Sequence, residues 1–181
     1  MGSSYSPASG GGGSGLGSSG SITYLLWNDQ EETAGGPITF TNNNLSKKEG
    51  QLTGGVDRWI SGRLLVPAEW DGNDVVIRVG WRPFTGNNGN TVKWRMAWGH
   101  YVEGALLVEA TPDSPVDTSY TIPAGDTTTQ IQFTEMSIPA SALIAGDLYD
   151  VMVGRWAGTI PGDSHAGTVH PHFVQAVVGL A

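Results

Sequence analysis

From residue 22 onward the chain reads as strand-like runs separated by turns, and the clearest runs alternate apolar and polar side chains with a period of two. In residues 74–82, Val75, Ile77, Val79 and Trp81 fall on one face and Val76, Arg78, Gly80 and Arg82 on the other, the pattern of a strand with one buried face. Residues 91–98 repeat it, setting Val92, Trp94, Met96 and Trp98 against Thr91, Lys93, Arg95 and Ala97. The six residues from Thr85 to Asn90 are turn formers suited to positive φ, so the two runs are expected to pair as a β-hairpin. Further strand-like runs occupy 22–27, 38–41, 56–66, 105–110, 120–122, 129–138, 147–156 and 169–180. Short strands at this spacing predict an all-β, antiparallel β-sandwich. Only 139–145 suits a helical turn, with Ser141 as its cap and Gly146 as its stop. Pro67, Pro123 and Pro139 each follow a strand-like run and mark its end, because proline cannot donate to a ladder.

Composition sharpens this picture. Glycine supplies 27 of the 181 residues, about twice the usual share and in keeping with many turns. Cysteine is absent, which excludes disulfides and thiolate metal sites, so stability must come from packing. Acidic residues outnumber basic ones 17 to 9, for a net charge of -8, and the only adjacent basic pair is Lys47-Lys48. A nucleic-acid partner is therefore not expected, since such surfaces cluster Lys and Arg against phosphates. The apolar runs are too short for a spanning helix and no export signal is evident, so no membrane role is expected.

Residues 1–21 are almost wholly Gly and Ser, interrupted by Tyr5, Pro7 and Leu16, and cannot bury enough surface to fold alone. The segment reads as a linker or as an extended assembly arm that docks on a neighbouring subunit through Tyr5 and Leu16. Residues 22–181 form the sandwich domain.

The stretch Ser137-Ile138-Pro139-Ala140-Ser141-Ala142-Leu143-Ile144-Ala145-Gly146-Asp147-Leu148-Tyr149-Asp150 is followed by a strand with a central Arg, an acidic loop and a last apolar strand. This pattern resembles a recurring domain of bacteriophage virion surface proteins, and the Trp81-Arg82-Pro83 run is compatible with it. The resemblance covers about the last third of the chain and carries no catalytic residue. It implies a jelly-roll-like sandwich at the virion surface: a homotrimeric capsid decoration, head-fibre or tail-fibre protein whose partners are the major capsid or other virion proteins. In the family the closing strand is smoothly apolar, whereas here His170-Pro171-His172 interrupts it.

Candidate chemistry is sparse. His170 and His172, with Asp163 nearby, are the one metal-like constellation, since i and i+2 in an extended segment face the same way. At a trimer axis three such pairs would give an octahedral nitrogen set. A polar loop at a sheet edge explains them more simply, and no metal or cofactor is expected. Seven tryptophans invite a glycan-binding reading, because indole faces stack on sugars. Trp81, Trp94 and Trp98 share an apolar face and read as core. Trp70 stands in turn-rich sequence and, with Asn87, Asn88, Asn90 and Asp71, is the candidate contact for a host surface glycan. No pair among Asp71, Asp74, Asp147, Asp150 and Asp163 is placed for acid–base hydrolysis. No nucleophile elbow, phosphate loop or dinucleotide fingerprint occurs, so an enzyme is not expected.

Overall fold

The computed structural model describes residues 20–26, 41–42, 48–49, 52–55, 57–84, 89–101, 113–123, 130–158 and 160–181. Among the described residues, ten strands run in chain order: β1 (Ser21–Leu25), β2 (Thr41–Asn42), β3 (Lys48–Glu49), β4 (Asp57–Leu65), β5 (Val75–Pro83), β6 (Thr91–Tyr101), β7 (Asp113–Thr121), β8 (Gln132–Ile138), β9 (Leu148–Trp156) and β10 (Val169–Gly179). Two four-stranded sheets have the orders β1-β10-β5-β8 and β4-β9-β6-β7, and β2 pairs with β3. All the pairings are antiparallel. With the two-residue strands set aside, the eight others interleave as first-eighth-third-sixth and second-seventh-fourth-fifth, the double Greek key of a jelly roll.

The core lies between the sheets, where Val75, Ile77, Val79 and Trp81 of β5 meet Val92, Trp94, Met96 and Trp98 of β6. The expected hairpin is corrected here: β5 and β6 belong to different sheets and do not pair. The alternation was read correctly, but two one-sided strands bury their apolar faces equally well against each other across a sandwich, as the Trp81 and Trp94 rings do at 5.5 Å. β7 begins at Asp113, well before the expected 120, and accommodates Pro115 because it is an edge strand. The run at 105–110 lies outside the described residues. The helical turn is a 3-10 helix over Ala140–Ala142. Ser141 sits inside it, and the Ala140 N–H is accepted by Asp74 Oδ1 at 2.9 Å.

The first half of β8 inverts its own hydrophobicity, while Met136 and Ile138 in the second half face the core as usual. Gln132 and Thr134 point into the core, while Ile131 and Phe133 are exposed. Buried polar groups need partners. The Trp81 indole N–H donates to Thr134 Oγ1 at 2.9 Å, and the Tyr120 hydroxyl donates to Gln132 Oε1.

The closing motif has a structural job. Arg155, fully buried on β9, holds both carboxylate oxygens of Asp163 through Nε at 2.9 Å and Nη2 at 2.7 Å. Its Nη1 donates to the Leu52 and Gly167 carbonyls, and its Nη2 also donates to that of His165. One guanidinium thus fixes the loop that leads into β10. β10 continues through His170-Pro171-His172, so this segment is neither a loop nor an interruption of the closing strand. A register shift between Pro171 and Phe173 absorbs the proline.

Candidate functional site

The outer face of the β1-β10-β5-β8 sheet carries an exposed aromatic strip. Its centre is a row across three strands, in which Phe173 of β10 stands opposite Gly80 of β5 and Gly80 opposite Phe133 of β8. Gly80 contributes no side chain, and the Phe173 ring lies over it, 6.0 Å from the Phe133 ring centroid. One row further on, His170 stands opposite Arg82, and its ring stacks on Phe84 at 5.1 Å and 9°. Phe84 is 55% exposed, Phe133 53% and Ile131 46%. Contiguous exposed aromatics on one sheet face are uncommon and mark contact surfaces.

Polar groups frame the strip. The row on the other side of Gly80 is Gln175, Arg78 and Glu135. Arg78 donates from Nε at 2.6 Å and Nη2 at 2.5 Å to the same Glu135 oxygen, with its guanidinium carbon 6.0 Å from the Phe133 ring centroid. Arg78 and Arg82 thus bracket Gly80 along β5, two residues away on either side. The surface presents flat rings with charged hydrogen-bonding groups at their edges, and it holds no nucleophile or paired carboxylates among the described residues.

Of the residues expected to form a contact, those that the structure describes lie outside the strip. Tyr5, Leu16, Asn87 and Asn88 fall outside the described residues. Trp70 is half-buried and packs against the core, with its indole N–H donating to the Asn73 carbonyl at 2.9 Å. Asn90 is half-buried, and its carbonyl accepts from the Ile122 N–H. The Asp71 carboxylate accepts the Asn73 N–H and side-chain amide, which hold its pKa below the usual value. Trp59 and Trp156 stack at 5.2 Å on the opposite sheet but are only 7% and 9% exposed. His170 is buried, and no group of three His, Cys, Asp or Glu side chains gathers among the described residues. Asp163 is consumed by Arg155. An open depression of about 330 Å³ beside it is lined by Gly54, Asp163, Ser164 and His165, and Ser164 Oγ accepts the Thr91 N–H there.

No protein-family model matches this chain, and a search of curated proteins gives no match. Solved structures resemble it in fold. The CBM36-1 domain of a multidomain xylanase from the hindgut metagenome of Trinervitermes trinervoides is 11% identical, with a TM-score of 0.45 over 90% of this chain and 98% of that one. A family 35 carbohydrate-binding module from an environmental isolate is 9% identical, with a TM-score of 0.48 over 88% and 93%. TmCBM61, solved with β-1,4-galactotriose, is 9% identical, with a TM-score of 0.38 over 79% and 81%. At these values the likeness concerns the β-sandwich alone.

Proposed function

We propose that this protein is a non-catalytic binding module that holds a carbohydrate against the strip formed by Phe84, Phe133 and Phe173. The observation that carries the reading is the inversion in the first half of β8. Two polar residues are taken into the core, each with a hydrogen bond, while Ile131 and Phe133 are turned out to water. Exposed ring faces beside Arg78 and Glu135 offer what a sugar needs, an apolar surface for its C–H face and charged groups for its hydroxyls. Affinity electrophoresis against a panel of soluble polysaccharides tests this. Retardation by at least one polymer, abolished in Phe133→Ala and kept in Trp70→Ala, is the expected result. Binding that ignores Phe133 and Phe84 overturns it.

A second reading, a homotrimeric virion surface subunit anchored by its Gly/Ser arm, draws support from the same apolar residues together with Leu25, 69% exposed on β1. Subunit contacts cover surfaces of this kind. Light scattering separates the two: a trimer that dissociates in Phe133→Ala favours the assembly, and a monomer that binds polysaccharide favours the module.

A further inference from the structure

Resting on the carbohydrate reading of this face, we infer that its ligand is the interior of a linear, β-1,4-linked polysaccharide laid along β5, and not a single sugar or a chain end. The exposed rings form two stations. At the first, Phe133 and Phe173 flank Gly80, with their centroids 6.0 Å apart. At the second, Phe84 lies flat on His170, whose partner across the ladder is Arg82. The Phe84 ring therefore stands two to four residues along the line of β5 from Gly80, roughly 7–13 Å at about 3.3 Å per residue. One sugar ring cannot cover both stations.

A chain end is recognised by enclosure, since small-ligand sites bury most of the surface of what they hold. Phe84 and Phe133 instead stand more than half exposed on a sheet face, where rings give contact without walls. A single ring stacked on a single sugar yields little net affinity, because association must first offset lost translational and rotational freedom. A chain held at one station meets the other as an intramolecular contact, and the two together bind far more tightly than either alone. Linkage decides which chains can do this. Equatorial β-1,4 bonds keep successive rings in an extended ribbon with its C–H faces exposed, whereas α-1,4 bonds coil a chain away from a straight strand. The rings carry this contact, since Arg78 in the neighbouring row is already paired with Glu135.

The test is titration calorimetry of the full chain with the disaccharide and hexasaccharide of the cello- and xylo-oligosaccharide series, beside affinity electrophoresis on hydroxyethylcellulose, soluble xylan and amylose. In at least one series the hexasaccharide is expected to bind at least about tenfold tighter than the disaccharide, and amylose should not retard the protein. Phe84→Ala should remove the advantage of length, bringing the hexasaccharide down to the affinity of the disaccharide and leaving the disaccharide nearly unchanged. Phe84→Tyr, which keeps a ring at the second station, should preserve that advantage. Equal affinity for short and long chains, or an equal loss of both in Phe84→Ala, overturns the two-station inference and leaves the carbohydrate reading standing. Retardation by amylose and not by the β-1,4 polymers overturns the linkage and again leaves that reading standing. Retardation by no polysaccharide of the wider panel removes both. Circular dichroism on each variant confirms that the sandwich is intact.

Discussion

The Phe173 ring occupies the space where a Cβ on Gly80 would stand, with its nearest carbons 2.4 Å from that position. Glycine in a strand interior is ordinarily a weakness. Here it is the condition for two phenylalanines on non-adjacent strands to meet across a third.

Gly80→Ala should therefore push the Phe173 ring off the strip and part it from Phe133. The expected cost is about 1–3 kcal/mol, the usual penalty for overpacking, together with loss of polysaccharide retardation. Urea denaturation and affinity electrophoresis measure the two effects. An unchanged midpoint with unchanged binding would show that the ring moves aside freely.

Thr134→Val keeps shape and removes the hydroxyl that the Trp81 indole N–H needs. An orphaned donor in a core costs about 1–3 kcal/mol, so the urea midpoint should fall. Thr134→Ser should retain most of the stability. If valine proved the more stable, the inward hydrogen bond would not be what holds this end of β8.

Asp163→Asn leaves the buried Arg155 guanidinium without its counter-charge. Breaking one side of a buried pair costs about 3–5 kcal/mol, and the calorimetric melt should drop accordingly. The double replacement Arg155→Met with Asp163→Leu should recover part of that loss. Polysaccharide binding at low temperature should persist in both variants, because neither side chain is part of the strip.

His165 supplies a pH dependence. Its ring is buried, and neither nitrogen makes a hydrogen bond of ordinary geometry. Burial, followed by the Arg155 charge, lowers its pKa from the usual 6.5, with the Thr168 backbone and Asp163 opposing that effect. The folded state therefore resists protonation that the unfolded chain accepts. Stability is full above the unfolded value of about 6.5 and falls as pH drops from there toward the lowered folded value. Melting temperatures between pH 7.5 and 5 should decline in the native chain and flatten over the same range in His165→Gln. Parallel profiles would assign the decline to another group.

Much of the sandwich was legible because the inner faces of β5 and β6 are uniformly apolar, which fixes the orientation of each strand. Alternation reports which face is buried and not which strand lies alongside, so β5 and β6 looked like a hairpin while belonging to opposite sheets. The aromatic strip was harder to see. In β8 the neighbours of Phe133 are Gln132 and Thr134, and reading these three alone turns the phenylalanine inward, although the alternation carried on through Met136 and Ile138 turns it out. In β10 the slip after Pro171 changes which face Phe173 occupies. A glycine in mid-strand at position 80 was the available signal that something approaches closely there. The tryptophans misdirected attention, since Trp81, Trp94 and Trp98 were needed inside.

β8 is also an edge strand whose two halves ask for opposite faces. A slip of one residue against β5 would bury Ile131 and Phe133 and release Gln132 and Thr134 to water. The same slip would expose Met136 and Ile138 and turn Glu135 inward. The native register is thus held by the apolar half of the strand and by polar partners from two other strands, Trp81 and Tyr120. It leaves local frustration at the sheet edge, confined to the half of the strand that carries the exposed strip.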